Sequence, residues 1–240
     1  MRKLIFGIII LIVVIGVGVF VFNERAEAPK SNGTQSQEPD TNQNTDPLPF
    51  DPTQFSIDDP TSIWVVVNKK RPIPNSFEPA DLTTVGNEQL RGEPAGALNT
   101  LLEAARAEGH QLNVLSGYRS YARQAMLYNS YVDRDGIEQA DTYSARPGYS
   151  EHQTGLAVDL GNGTCDLEEC FAETPAGQWL AENAHTYGFT IRYGKGQTNI
   201  TGYQYEPWHL RYVGKDLANE LHSKKLTMEA FFELAPAANY

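Results

Sequence analysis

The chain has 240 residues, 40% hydrophobic and 10% aromatic, enough for one domain with a real core plus accessory segments. Its 19 basic residues face 30 acidic ones, a formal charge of −11. That balance excludes a broad basic face for nucleic acid or anionic membrane.

Residues Leu4 to Phe22 read LIFGIIILIVVIGVGVFVF, with no charge and no proline. A helix of that length spans about 28 Å, close to a hydrocarbon core of roughly 30 Å. Arg2 and Lys3 precede it, so the expected orientation keeps the short N-terminus inside and sends the body outward. A cleaved signal peptide competes, because Ala26-Glu27-Ala28 resembles a cleavage site. The apolar run is longer than such segments usually are, however, and Pro29 follows the cut. An N-terminal membrane anchor is therefore expected over 1–22, a single pass through the cell membrane with the body on the extracytoplasmic side.

From 23 to 59 the chain is rich in Asn, Gln, Ser, Thr, Pro, Asp and Glu, and a disordered polar tether is expected there. The folded domain is expected over 60–240. It should open with Ile63–Val67 as a strand or extended segment. Leu98, Leu101, Leu102 and Ala105 fall at helical spacing within 95–108, and Gly109 follows as a C-cap. A short strand over 112–115 leads to a helix from Ser120 through Val132. A strand over 155–160, a helix over 176–187 and a strand over 190–193 come next. A last strand over 208–213 precedes helices over 215–224 and 227–234. The strands are too short and too widely spaced for a doubly wound sheet, so the fold class is α+β.

Cys165 and Cys170 are the only cysteines. A short bridge closing a surface loop fits an exported body. A metal half-site lacks a second pair to complete it, and two buried thiols are the remaining reading.

Of five histidines, His110, His185 and His222 have ordinary explanations at helix ends or on a polar helix face. His152 differs, lying in a turn before the strand that carries Asp159. His209 follows Glu206 by three residues in EPWHLRYVG. Two imidazoles and one carboxylate make a complete catalytic zinc set with one position left for water, and Glu206 is then free as a general base. Taken alone, these four residues leave scattered structural roles open. Trp208 reads equally as core packing or pocket wall.

Three segments carry a resemblance: SGYRS (116–120), SEHQTGLAVD (150–159) and EPWH (206–209). They resemble the signatures of the D-alanyl-D-alanine carboxypeptidases of the VanY type, zinc peptidases related to VanX dipeptidases and hedgehog signalling domains. The resemblance covers roughly 64–234 and shows no departure at the ligand or base positions. It implies a small antiparallel sheet flanked by helices, with Zn2+ held by His152, Asp159 and His209 and Glu206 as the base. Arg119 corresponds to the arginine aimed at the substrate carbonyl or carboxylate, while Gln124 and Ser150 correspond to positions lining the peptide site. The implied substrates are peptidoglycan stem peptides ending in D-alanine. An L,D-carboxypeptidase acting on tetrapeptide stems is the neighbouring expectation. A non-catalytic wall-binding module on the same fold is the alternative from another class.

Overall fold

The computed structural model describes residues 50–240; the expected anchor over 1–22 and the tether over 23–49 lie outside the described residues. Among the described residues no helix is long and apolar enough to cross a membrane.

The stretch 50–59, expected as the end of the tether, packs onto the domain. Phe50 stacks on Trp64 and meets Phe231 edge-on, each at 5.7 Å between ring centroids, and Phe55 meets Trp64 at 5.0 Å. Its polar residues make turns: Asp51 accepts from the Thr53 N–H and Asp59 from the Thr61 N–H, both at 2.8 Å. A composition that reads as disorder is here turn chemistry between apolar anchors, and the folded body includes Phe50.

Residues 63–67 belong to neither sheet: Ile63 and Trp64 lie in a turn, and Val65–Val67 are irregular chain. Their side chains alternate as in a strand, Val65 and Val67 entering the main core and Trp64 and Val66 a second, smaller one. Side chains replace the missing ladder. Arg211 donates to the carbonyls of Ile63 and Val65, and Arg71 to that of Val66.

A hairpin follows, β1 (Leu82–Val85) and β2 (Glu88–Arg91), turning at Gly86 and Asn87 with Gly86 at φ 62°. Helix α1 (Gly92–Ala107) buries Ala95, Leu98, Leu101 and Ala105. Each fully buried leucine contributes about 1.5–3 kcal/mol of transfer free energy. Strand β3 (Asn113–Ser116) leads to α2 (Tyr121–Asp135), capped by Ser120 accepting from the Arg123 N–H, and to α3 (Ile137–Tyr143). A 3-10 turn (Glu151–Thr154) precedes β4 (Ala157–Gly161). Helix α4 (Pro175–Asn183) is capped by Thr174, and a 3-10 turn (Ala184–Tyr187) completes what reads as one helix in sequence. Strand β5 (Phe189–Tyr193), the short α5 (Thr198–Thr201), β6 (Glu206–Tyr212), α6 (Lys215–Lys224) and α7 (Met228–Phe231) finish the chain.

The main sheet has the order β3-β4-β6-β5, antiparallel throughout, with helices around it, so the α+β reading stands. Every residue of β4 and β6 is buried, as expected for central strands covered on both faces. Val158, Leu160, Trp208 and Leu210 join the main core with α1 and α4. Asp159 and His209 therefore sit in the middle of the sheet on the residues that alternate with the core.

Candidate metal centre

His152 is the second residue of the buried 3-10 turn that enters β4. Thr154 ties that turn through its hydroxyl, donating to the Glu151 carbonyl at 2.5 Å, and Gly155 ends it in the left-handed region at φ 68°. A Cβ at Gly155 would stand 3.0 Å from Arg91 Cγ, so both backbone and space call for glycine. His152 Nδ1 lies 2.7 Å from the Gly117 carbonyl, which can only accept. Nδ1 therefore carries the proton and Nε2 presents its lone pair, 3.2 Å from Asp159 Oδ2.

Asp159 on β4 is the register partner of His209 on β6, and His209 Nδ1 lies 3.0 Å from Asp159 Oδ1. The two imidazole rings stand 5.0 Å apart, nearly perpendicular at 88°. One ligand atom from each of His152, Asp159 and His209 falls within 4.8 Å of the others.

Glu206 lies beside this trio, its Oε2 3.8 Å from His209 Nδ1. Residues three apart in a regular strand face opposite sides. The register against β5 slips between Ile191 and Tyr193, whose partners are Leu210 and Glu206, and this irregularity turns Glu206 and His209 toward the same space.

Arg119 follows β3. Its N–H donates to the His152 carbonyl at 3.1 Å. Its guanidinium donates to Gln124 Oε1 at 2.8 Å and Ser116 Oγ at 2.7 Å, and lies 4.0 Å from Asp159 Oδ2. Gln124 lines the cavity but is 1% exposed, and its amide nitrogen donates to the Ala145 carbonyl at 2.7 Å. Both ends of that amide are engaged, so Gln124 steadies Arg119 from the cavity wall, the place in which the resemblance sets it. Ser150 is buried in the same wall. The cavity measures about 420 Å³, and Trp208 belongs both to its wall and to the core.

Cys165 and Cys170 are bridged, with Cα atoms 5.8 Å apart. The loop they close brings Leu167 and Glu168 to the cavity rim. His185 and His222 stack on each other at 3.6 Å between centroids and His110 lies near Trp179; none of the three lines the cavity.

The electrostatics suit a cation. Burial pushes the His152 imidazole down, keeping it neutral. Burial alone would raise the Asp159 carboxyl, but His152 and His209 hold it well below the usual carboxylate range. Burial pushes Glu206 up to about 8, with the Asp159 and Glu151 charges adding to it against His209 and Arg119. For His209 burial acts downward, but hydrogen bonds to Asp159 and Glu151 raise it to about 10. The negative field that holds a proton there is the field that favours a divalent ion. One neutral imidazole, one anionic carboxylate and a second imidazole within reach form a donor set that fits zinc.

Sequence reasoning missed Glu151, Arg192 and Arg211, all buried. Glu151 Oε1 accepts from Arg192 Nε and from Arg211, each at 2.8 Å, and Oε2 lies 3.4 Å from His209 Nε2. Arg192 also donates to Glu229, which accepts from Asn68 as well. The available signal was an acid directly before a candidate ligand, matched by an arginine two residues after another.

An α+β domain that brings two imidazoles and two carboxylates into one cleft has the make-up of a metallohydrolase site. The family model for VanY, D-alanyl-D-alanine carboxypeptidase, matches residues 87–215, and the chain belongs to that carboxypeptidase family. YodJ of Bacillus subtilis (strain 168) is 42% identical over 190 residues, 74% of this chain and 70% of that protein. The solved structure of the LdcB LD-carboxypeptidase is 42% identical with a TM-score of 0.69, covering 73% of this chain and 88% of that one. The vancomycin-resistance D,D-pentapeptidase VanY from a VanB-type cassette, solved in complex with Zn(II), is 34% identical with a TM-score of 0.63, covering 70% and 97%.

Proposed function

We propose that this chain is a zinc-dependent carboxypeptidase that removes the C-terminal D-alanine from peptidoglycan stem peptides outside the cytoplasm. The observation that carries the reading is the convergence of His152, Asp159 and His209, with Glu206 beside them and outside the tight trio. Zinc, when bound by those three, supplies a Lewis acid at the scissile carbonyl. Glu206 accepts a proton from the attacking water and returns it to the departing amine. Arg119, aligned by Ser116 and Gln124, offers a fixed fork to the substrate's terminal carboxylate or the developing oxyanion. Ser150 and Trp208 line the cavity.

The family match supports D,D cleavage. The higher identity to the LdcB LD-carboxypeptidase, 42% against 34%, favours a second reading, L,D cleavage of tetrapeptide stems. A wall-binding module without chemistry has no need for ligands, base and arginine together. The segment over 4–22 and the Cys165–Cys170 bridge support a membrane-anchored, exported protein. The test is product analysis of the zinc-loaded protein on penta- and tetrapeptide stems, with and without a chelator. D-alanine release that the chelator abolishes supports the reading, the preferred stem separates D,D from L,D, and no release from either stem overturns it.

A further inference from the structure

We propose that Glu151 is the positioning residue for His209: clamped between Arg192 and Arg211, it takes the Nε2–H of that imidazole and so leaves Nδ1 as the atom offered to the metal. The proposal rests on the zinc reading above and extends it to a residue outside the ligand set.

A neutral imidazole has one N–H and one lone pair, and its partners decide which nitrogen is which. For His152 the Gly117 carbonyl makes that choice, and Nε2 faces the site. For His209 the orientation is opposite. Nδ1 points at Asp159, and Nε2 points away from the trio toward Glu151. Without a dedicated acceptor on the Nε2 side, the Nδ1–H tautomer would donate to Asp159, and the ring would present no lone pair where the three ligand atoms converge.

Glu151 is built for that duty. Its side chain is 0% exposed, and Oε1 is occupied by both guanidinium groups, so Oε2 is the oxygen left for His209. With Oε1 accepting from both arginines, Oε2 faces the His209 ring as an acceptor. The arginines are fixed in turn. Arg211 holds the carbonyls of Ile63 and Val65, and Arg192 pairs with the buried Glu229. The acceptor is thus tied to β5, β6, the 63–67 segment and α7, and it cannot follow the ring if the ring turns. A carboxylate on the outer nitrogen of a ligand histidine fixes ring orientation and raises ligand basicity, and its loss typically weakens metal binding about 10–100-fold.

Two measurements test this. On wild-type protein with 15N-labelled histidine and zinc bound, long-range 1H–15N spectra are expected to show His209 metal-bound at Nδ1 and protonated at Nε2, with an Nε2 proton that exchanges slowly with water. Zinc attached through Nε2, or an Nε2 proton exchanging as freely as that of a solvent-facing histidine, overturns the proposal. This measurement needs no variant and stands if Glu151→Gln fails to fold. Where Glu151→Gln folds, its zinc affinity is expected to fall about 10–100-fold, while KM at saturating zinc stays within about twofold. Unchanged zinc affinity in the folded variant overturns the positioning role. Wild-type protein that takes up no zinc overturns the metal reading itself, and that result is distinguishable from zinc bound through the wrong nitrogen.

Discussion

Asp159 and His209 face each other across the two central strands of the sheet, register partners with Oδ1 3.0 Å from Nδ1. The sheet itself thus sets the spacing of two of the three proposed ligands. Asp159→Asn keeps the shape but removes the charge that both imidazoles lean on. Zinc content measured after dialysis is expected to drop well below one per chain, with the fold retained by circular dichroism. A full complement of tightly held zinc would remove Asp159 from the ligand set.

Arg119 is held by Ser116 and Gln124 in one orientation. Arg119→Met should leave zinc content unchanged and lower kcat/KM by about 10²–10³-fold, the usual effect of removing one preorganised donor. Gln124→Ala should give a smaller loss in the same direction, since it loosens Arg119 without removing it. Steady-state kinetics on a soluble stem peptide reads both, and wild-type kinetics in the arginine variant would return it to a structural role.

Phe50 and Phe55 cover Trp64. A protein lacking residues 1–49 should therefore unfold cooperatively with the stability of the longer chain. One beginning at Ile57 should be less stable by about 1–3 kcal/mol, the burial of one or two partly covered rings. Equal denaturation midpoints for the two would mean that the 50–56 contacts contribute nothing.

Glu229 pairs with Arg192 in the interior. Burial pushes its carboxyl up, but the Arg192 charge and hydrogen bonds from Arg192 and Asn68 leave it below its ordinary value. A folded-state pKa below the unfolded one, about 4.3, adds stability that is fully present above that pH and is lost as pH falls through the folded value. Unfolding free energy should therefore decline below about pH 4. Glu229→Gln should be less stable at pH 7 and show a shallower decline on acidification. An identical pH slope in the variant would show that this carboxyl does not carry the effect.

The residues that converge on the cavity were legible because each sits in a short segment whose residue types are unusual together: SGYR, SEHQTGLAVD and EPWH. The periodic helices and most strands were legible too, since their apolar spacing is local. Other features depend on distant partners. Glu206 and His209 share a side only because β6 slips against β5. Residues 63–67 look like a strand, but Arg211 and Arg71 take their carbonyls. Glu151 carries no local signal of its role because its arginines lie 41 and 60 residues away. The β1–β2 hairpin did carry a local signal, Gly86-Asn87, but its strands are short and half-exposed, so hydrophobic alternation is weak.

In the proposed mechanism Glu206 works as a base beside a metal held by other residues, and zinc content together with D-alanine release for Glu206→Gln tests it. The amide keeps the side chain's size but cannot take the water's proton. The variant is expected to hold about one zinc per chain, as in the wild type, with turnover lower by about 10²–10⁴-fold. Wild-type D-alanine release by that variant would remove Glu206 as the base, and loss of its zinc would make Glu206 a ligand.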